Sequence, residues 1–294
     1  MARFTPLRLT RLAAVAQLLR DGRPPPSSAL LAASAPLMPR RAFARSVAAS
    51  ALGAAAWGVG AEAAALPVAE LSRLHRHFGG DASAGDNMPM PQRAPSGGTI
   101  SALSVQLPAL QVLETYLRRP GSSSFDVGFG SGVMMAMMLA VSPGSSHAWG
   151  ADLADKIPVA RKNLLSGGCP FLPLASESFT LIGGDAFEHL KRDGRKYDVV
   201  YAGCSLDPST DQLRILLRAL KPDGAAVFNL GVPGEQGMYF VADEGRTCAE
   251  LMRVSFMMAE SPETPPIPGQ RIPLRPGALS KWIQENVYGE RPAL

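Results

Sequence analysis

The sequence predicts an α/β protein whose core is a doubly wound, mostly parallel sheet. Short apolar runs alternate with helix-like runs between residues 124 and 230. This alternation is typical of parallel strands joined by helices that cover both faces of the sheet. A glycine-rich turn follows the first apolar run, with Gly128, Gly130 and Gly132 at alternate positions. Ligands of such sheets bind beyond the carboxyl ends of the strands, so we expect a binding site at this turn.

The predicted core elements follow one another with short connections. We predict strands at Ser124–Val127, His147–Gly150, Phe179–Ile182, Tyr197–Tyr201 and Ala225–Leu230. We predict intervening helices at Val133–Ala140, Asp155–Leu165, Ala186–Lys191 and Thr210–Leu220. A turn is expected at Lys221–Gly224, where Pro and Gly interrupt the pattern.

Two helices are predicted ahead of the first strand. Leu66–Phe78 has apolar residues at helical spacing. Its His75 and His77 have no acidic or cysteine partners at ligand spacing, so we expect both to face solvent. Gly79–Gly98 is rich in Gly, Pro, Ser and Met and is expected to be a loop. A second helical pattern within Thr99–Leu117 is expected to pack on the core.

The positive charge of the chain is concentrated at its N-terminus. Residues 1–61 hold eight Arg and one acid, Asp21, a net charge of +7. The rest of the chain holds 21 basic and 24 acidic residues, a net charge of −3. Because the basic residues belong to the leader and do not form a patch on the predicted domain, we expect no nucleic-acid binding.

Residues 1–65 are predicted to be a targeting presequence. The first part is rich in Arg, Ala, Leu and Ser, as transit peptides are. A twin arginine at Arg40 and Arg41 is followed by the uncharged stretch Ser46–Ala61 and an Ala-x-Ala end. This combination resembles a bipartite plastid presequence with a thylakoid-lumen signal. An ordinary mitochondrial or plastid transit peptide is the alternative. The apolar stretch has 16 residues, which is short for a membrane span, so none is expected in the mature form.

The cysteine content does not predict a metal site. Cys169, Cys204 and Cys248 are widely separated and form no CxxC or Cys/His cluster. Free thiols are favoured, and a single disulfide stays open at this point.

The spacing of the glycine turn argues against a dinucleotide cofactor. A dinucleotide fingerprint has the pattern G-x-G-x-x-G. Counted from Gly128 its third glycine would fall on Val133, and counted from Gly130 it would fall on Met135. The chain has Asp-x-Gly-x-Gly-x-Gly instead, beginning at Asp126.

Three acids at predicted strand ends favour S-adenosylmethionine (SAM) as the cofactor. Asp152 follows Gly132 by 20 residues and is placed to accept hydrogen bonds from two ribose hydroxyls. Asp185 ends the third strand, where we expect the adenine edge. A carboxylate such as Asp126 suits the sulfonium and ammonium of SAM, whereas it would repel a pyrophosphate.

The ordered set of motifs resembles the class I SAM-dependent methyltransferases over about residues 120–232. The set comprises the acid and glycines of the turn, Asp152, Asp185, the Tyr-Asp-Val-Val run at Tyr197–Val200 and Leu-Lys-Pro-Asp-Gly at Leu220–Gly224. The resemblance implies a seven-stranded, Rossmann-like sheet.

A narrower resemblance covers roughly residues 70–260. Thr99-Ile-Ser-Ala, at Thr99–Ala102, is similar to a stretch of the protein-L-isoaspartate O-methyltransferases. The resemblance implies a final antiparallel strand, with Gly237–Val241 and Leu251–Met258 as candidates for the last strands. It divides the chain into the presequence, an N-terminal helix and loop at 66–98, a methyltransferase domain at 99–260 and a Pro-rich tail at 261–294.

The resemblance implies a protein-repair activity in which SAM methylates the α-carboxylate of isoaspartyl residues. The partners would be isoaspartyl-containing peptides or proteins, and the protein would be a monomer. Ser101 would be the catalytic residue, and the segment around it would cover the cofactor. No metal is implied. The predicted cofactor-binding residues are Gly98, Thr99, Ile100, Gln106, Asp126, Val127, Gly128, Phe129, Gly130, Gly132, Asp152, Leu153, Asp185 and Ala186.

The sequence departs from this family at three places near the predicted site. Leu103–Gln106 stands where the family has Pro-His-Met-His, so Gln106 replaces a histidine that helps to hold the cofactor. Phe129 replaces a small residue of the turn, and Ala186 replaces a glycine. Two alternatives therefore stay open: a class I methyltransferase with another substrate, and a non-catalytic SAM-fold binding protein.

Overall fold

The computed structural model describes residues 66–79, 90–91, 97–259, 261 and 264–289. The predicted presequence and most of the predicted loop at Gly79–Gly98 lie outside these residues. Within the described ranges no helix combines the length and the apolar character that a membrane span needs.

A seven-stranded sheet forms the centre of the described fold. Its strands are β3 (Ser123–Val127), β4 (His147–Asp152), β5 (Phe179–Gly183), β6 (Tyr197–Leu206), β7 (Leu220–Leu230), β8 (Gln236–Ala242) and β9 (Thr247–Val254). They lie in the order β5-β4-β3-β6-β7-β8-β9. A separate antiparallel pair joins β1 (Met90–Pro91) to β2 (Thr99–Ile100).

The sheet is mostly parallel, as predicted. Strands β3 to β7 pair in parallel, and β8 is antiparallel to both of its neighbours. The doubly wound α/β fold class is thus confirmed. The antiparallel strand is β8, the last but one in sequence, whereas the final strand was expected to be antiparallel. Strand β9 also begins at Thr247, four residues before the predicted Leu251, since Thr247 pairs with Ala242 of β8.

Helices cover both faces of this sheet. The helices are α1 (Val68–Gly79), α2 (Leu103–Leu117), α3 (Val133–Val141), α4 (Lys156–Leu165), α5 (Ala186–Asp193), α6 (Gln212–Arg218) and α7 (Pro276–Ile283). Buried side chains of α1 to α4 belong to one hydrophobic cluster and those of α5 to α7 to another. Two clusters on opposite faces of a sheet are expected when crossover helices alternate sides.

Helix α3 carries no polar face. All six residues from Val133 to Met138 are buried. A helix that is apolar all round is buried on all sides, and here α3 packs against α1, α2 and β4. Its four methionines therefore fill core space, because their unbranched side chains adapt to irregular gaps.

Strand β6 continues five residues beyond its predicted end and is irregular there. Its register with β7 shifts between Tyr201 and Ser205. The Asn229 side-chain amide donates to the carbonyl of Ala202 at 3.1 Å and, more weakly, to that of Cys204 at 3.4 Å. These bonds hold two carbonyls within the irregular stretch, and so stabilise the bulge at the carboxyl end of the sheet.

The described residues between 255 and 272 are here called the crossing segment. They lead from β9 back to the carboxyl end of β6. The main-chain amide of Ser205 in β6 donates to the Met257 carbonyl, and the Ser205 carbonyl accepts from the Ala259 amide, both at 2.8 Å. Farther on, Ile272 donates to the carbonyl of Pro208 at 3.0 Å. Helix α7 follows, with Leu279 fully buried. The predicted tail is therefore an integral part of the hydrophobic core.

Candidate cofactor-binding site

The glycine turn lies at the carboxyl end of β3 and leads into α3. Gly128, Gly130 and Gly132 have φ angles of +77°, +53° and +86°. These values lie in the left-handed region, where glycine pays no penalty for a Cβ. A Cβ on Gly128 would lie 3.6 Å from Sγ of Cys204, so the turn packs against the bulge of β6.

Asp152 is fixed beside this turn at the end of β4. Its Oδ2 accepts a hydrogen bond of 2.6 Å from the Gly130 amide, and its Oδ1 accepts one of 2.7 Å from the Leu153 amide. Burial raises the pKa of Asp152, although the two amide bonds and Lys156 act in the opposite direction. Each oxygen keeps a further lone pair for a ligand hydroxyl. Leu153 presents an apolar side chain, 44% exposed, next to the carboxylate.

Asp126 is the most unusual group of the site. It is only 1% exposed, and neither carboxylate oxygen has a hydrogen-bond partner among the described residues. Burial, and then the charge of Asp152, raise the pKa of Asp126 well above its ordinary value. A buried carboxylate without a partner is costly, so burial favours the protonated form of this group.

Two further ionisable groups face Asp126. Burial raises the pKa of the Tyr201 hydroxyl, and the charge of Asp126 adds to that shift. Burial, followed by the charges of Asp152 and Asp126, raises the pKa of Cys204 to about 12. Neither group can neutralise a carboxylate, because a phenol or a thiol is either neutral or, when ionised, negatively charged. A cationic ligand would favour the ionised form of Asp126.

Further buried polar atoms lack a hydrogen-bond partner within the described part of the chain. Among them are Oγ of Ser131 in the turn, Oε1 of Gln106 in α2 and Oδ1 of Asn229 in β7. Buried polar atoms are nearly always hydrogen-bonded in folded proteins. Gln106 is 4% exposed, so this predicted cofactor residue brings an unsatisfied acceptor into the protein interior.

Asp185, which follows β5, accepts hydrogen bonds from three residues. Its Oδ1 caps α5 by accepting from the amides of Phe187 at 2.8 Å and Glu188 at 3.3 Å. Its Oδ2 accepts a hydrogen bond of 2.5 Å from the Ser261 hydroxyl. The predicted neighbour Ala186 is buried in the first turn of α5. Ser261 is a contact that sequence patterns did not indicate.

Phe129 does not present its side chain as a ligand group. The ring is 3% exposed and packs over Gly150, where a Cβ would come within 3.0 Å of it. The bulky Phe129 and the absent side chain of Gly150 are therefore complementary. Phe129 contributes to the turn through its main chain. Its carbonyl accepts a hydrogen bond of 2.8 Å from the Gly132 amide. Val127, the last residue of β3, is likewise buried.

Residues 97–101 form what we call the cover segment, which carries the predicted catalytic Ser101. Ile100 is buried, Thr99 is exposed, and Gly98 and Ser101 are intermediate. The Lys156 ammonium donates to the Gly97 carbonyl, and Nε2 of His75 lies 2.8 Å from the Ser101 carbonyl.

The prediction that His75 faces solvent was wrong. His75 is 1% exposed. Leu71, His75 and Phe78 recur at spacings of four and three residues, which places all three on the buried face of α1. That spacing was the signal that the sequence offered. His77 is partly buried and its Nε2 lies 3.1 Å from Oγ of Ser166.

The described residues give no metal centre and no disulfide. No group of three or more His, Cys, Asp or Glu side chains in the described ranges is arranged to hold a metal ion. Cys169, Cys204 and Cys248 are all free thiols. A separate cavity of about 370 Å³ lies beyond the carboxyl end of β6, between Asp207, Thr210 and the crossing segment. None of the predicted site residues lines this cavity.

Comparison with known proteins finds relatives by structure alone. No protein-family model matches the chain, and no curated protein matches its sequence. A Plasmodium falciparum structure, provisionally assigned as a protein-L-isoaspartate O-methyltransferase and solved in complex with S-adenosyl-L-homocysteine, matches with a TM-score of 0.54 and 20% identity. The match covers 74% of this chain and 98% of that chain. The chain therefore has the fold of class I methyltransferases.

Two weaker matches are also methyltransferases. Another protein-L-isoaspartate O-methyltransferase has a TM-score of 0.47 and 15% identity, over 60% of this chain and 53% of its own. An O-methyltransferase from Klebsiella pneumoniae has a TM-score of 0.35 and 17% identity, over 64% and 73% of the two chains.

Proposed function

We propose that this chain is a SAM-dependent methyltransferase acting on the α-carboxylate of isoaspartyl residues in peptides or proteins. The observation that carries the cofactor assignment is the pair of acids flanking the glycine turn. Asp126 is buried without a hydrogen-bond partner in the described residues, and Asp152 is bonded to the turn itself at Gly130. This pair offers one carboxyl group to a cation and one to a diol.

SAM fits these groups better than a dinucleotide does. A pyrophosphate would bring negative charge to a buried carboxyl, which is electrostatically unfavourable. SAM carries a sulfonium and an ammonium, either of which favours the ionised form of Asp126. Asp152 would hold the ribose hydroxyls, and Asp185 would lie at the adenine edge. The glycine turn would admit the ligand close to the main chain, since no Cβ stands in the way.

The site is poor in general bases, and the proposed chemistry does not need one. SAM supplies, when bound, a methyl group on a positively charged sulfur that is a good leaving group. The acceptor α-carboxyl is already ionised at neutral pH. The tasks left to the protein are to orient the acceptor and to exclude water. Ser101 would orient the acceptor by donating its hydroxyl hydrogen to it, and the cover segment would shield the site.

The isoaspartyl specificity is tested with a pair of matched peptides. The full chain is incubated with radiolabelled SAM and a peptide containing isoaspartate, or with the same peptide containing normal aspartate. We expect base-labile methyl ester on the isoaspartyl peptide alone, and little or none with S101A. SAM binding without ester formation on the isoaspartyl peptide would contradict this substrate assignment.

Methyl transfer to a different acceptor is the second candidate. It is favoured by α2, where Leu103 is fully buried and Gln106 replaces the histidine of the isoaspartyl family. A glutamine cannot carry the charge that histidine can, so this chain departs from the isoaspartyl family in the segment that helps to hold the cofactor. Methylation of another protein or small molecule by the chain, with no ester on the isoaspartyl peptide, would favour this candidate. Absence of SAM binding would favour a non-catalytic role.

We also propose that residues 1–65 direct the protein to plastids, with the thylakoid lumen as the final compartment. The twin arginine, the short apolar stretch and the Ala-x-Ala end support this proposal. A fusion of residues 1–70 to a fluorescent protein tests it. Plastid fluorescence is expected, and mitochondrial fluorescence would contradict the proposal.

A further inference from the structure

Two buried basic side chains contact the two ends of the cover segment. His75 of α1 is 1% exposed, and its Nε2 lies 2.8 Å from the Ser101 carbonyl oxygen. Lys156 of α4 is 5% exposed, and its ammonium donates to the Gly97 carbonyl. The cover segment is therefore joined to one helix at each end through its main chain.

The direction of the His75 contact follows from its partner. A carbonyl oxygen only accepts hydrogen bonds, so Nε2 of His75 must carry the hydrogen. The neutral tautomer protonated at Nε2 satisfies this requirement, and so does the imidazolium.

The surroundings of His75 argue that it serves more than packing. Leu71, Leu74 and Phe78 of the same helix are buried in the hydrophobic cluster that also contains Ile100. An apolar side chain at position 75 would fill this space without the cost of burying an imidazole. Unlike an apolar side chain, His75 also donates a hydrogen bond that fixes the carbonyl of Ser101.

Lys156 connects the cover segment to the proposed ribose site. Its charge is close enough to Asp152 to oppose the raised pKa of that carboxyl group. The same ammonium holds the Gly97 carbonyl. A ligand bound at Asp152 would therefore lie next to the residue that anchors the cover segment.

We infer that His75 is a positioning residue for Ser101, with Lys156 as the anchor at the opposite end of the cover segment. This inference rests on the proposed function, because it concerns the orientation of the proposed catalytic hydroxyl. Misplacing a reacting group by about 1 Å can cost about 100-fold in rate. His75 would act through the main chain of Ser101 and would touch neither acceptor nor cofactor.

The test compares H75F, H75Q and H77F in the full chain. H75F fills the space but cannot donate, and H75Q restores a donor. H77F is the control on the same helix, because Nε2 of His77 makes its hydrogen bond with the Ser166 hydroxyl, outside the cover segment. The measurements are amide hydrogen exchange of residues 99–104, the SAM dissociation constant by calorimetry, and kcat and KM with the isoaspartyl peptide.

We expect H75F to speed amide exchange of residues 99–104 and to lower kcat by about 10- to 100-fold. The SAM dissociation constant should change by less than about 3-fold, since Asp126 and Asp152, which carry the cofactor assignment, lie outside the loosened residues. H75Q should recover most of the lost kcat, and H77F should behave as the wild type does. If circular dichroism shows H75F to be unfolded, H75M takes its place, because methionine fills irregular space.

Unchanged exchange and kcat in H75F would overturn the inference, and so would an equal loss in H77F. Failure of the proposed function has a different signature, namely a wild-type chain that neither binds SAM nor methylates the peptide. In that event, faster exchange of residues 99–104 in H75F still supports the fixing of the cover segment, and unchanged exchange refutes it.

Discussion

The hydroxyl of Ser261 donates a hydrogen bond of 2.5 Å to Oδ2 of Asp185. This bond ties the crossing segment to the end of β5, the strand at the far edge of the sheet. The other oxygen of Asp185 caps α5, so both oxygens of the carboxylate are oriented by the fold. A residue from the predicted tail is thereby placed at the proposed adenine edge.

Replacing Ser261 with alanine should loosen the crossing segment and weaken SAM binding. The lost bond orients Asp185, and one hydrogen bond of this kind corresponds to a change in affinity of about 2- to 10-fold. Calorimetric titration of SAM into S261A measures the change. S280A is the control, because Ser280 of α7 donates to the Gly245 carbonyl, away from the glycine turn. Equal SAM affinities for S261A and wild type would show that the contact plays no part in binding.

Asp126 should make the ligand-free protein less stable as pH rises. Its pKa is raised in the folded state, so the folded protein binds a proton that the unfolded chain releases. The stabilising contribution is complete below the unfolded pKa of 3.8 and is lost as pH rises through the folded pKa. The slope from one such group is at most about 1.4 kcal/mol per pH unit.

The D126N variant removes this titration while keeping the shape of the side chain. Urea unfolding of wild type and D126N at pH 5, 6, 7 and 8, without SAM, gives the two stability profiles. The stability of D126N relative to wild type should increase with pH. Asp152, Tyr201 and Cys204 face the group in both proteins, so their contributions largely cancel in the difference. Parallel profiles would mean that Asp126 is already ionised in the folded protein.

Asp198 should stabilise the fold at the amino end of β6, the end opposite to the glycine turn. Its Oδ2 accepts from the Ser123 amide and hydroxyl and from Lys221, at 2.8 to 2.9 Å. Burial alone would raise the pKa of Asp198, but these hydrogen bonds outweigh burial and lower it. This contribution is present above the unfolded pKa and is lost as pH falls through the folded pKa. D198A should lose about 1–3 kcal/mol of unfolding free energy at pH 7.

The control for D198A is D223A in the same charge cluster. The Asp223 side chain is 61% exposed and pairs with Arg119 at 2.9 Å. An exposed ion pair contributes about 0–1 kcal/mol, so D223A should differ little from wild type. SAM affinity should be unchanged in both variants. Equal destabilisation by D198A and D223A would contradict the structural role assigned to Asp198.

Gly150 should tolerate no side chain, because Phe129 occupies the space above it. A Cβ at position 150 would lie 2.7 Å from Sδ of Met135 and 3.0 Å from the Phe129 ring. Overpacking of this kind costs about 1–3 kcal/mol. Urea unfolding of G150A should show that loss. G144A is the control, since a Cβ on Gly144 would meet no atom within 4 Å. Wild-type stability of G150A would mean that the Phe129 ring moves without cost.

The sequence predicted the sheet because its signals are local. Each core strand is a short apolar run closed by glycine or an acid, and each predicted helix between strands has helical spacing. The same locality explains the errors. Strand β6 extends to Leu206 because Asn229 of β7 bonds the carbonyls of its bulge, which is a contact between distant residues. The antiparallel position of β8 is likewise decided by pairing with β7 and β9.

The acids and glycines of the candidate site could be predicted from the sequence. The hydrogen bonds that hold the acids in place could not. Asp152 was expected at a strand end, and it lies there. Its bond to Gly130 and the tie between Ser261 and Asp185 depend on tertiary packing, which sequence spacing does not encode. His75 was misassigned for a different reason, because its polar character was given more weight than its spacing from Leu71 and Phe78.

Titration calorimetry of the full chain with SAM tests the central claim most directly. We predict one SAM bound per chain with micromolar affinity, no binding of NAD, and a loss of about 100-fold in affinity for D152A, which removes hydrogen bonds to a charged acceptor. A wild-type chain that takes up no SAM at high protein concentration, or one that binds NAD instead, would contradict the account.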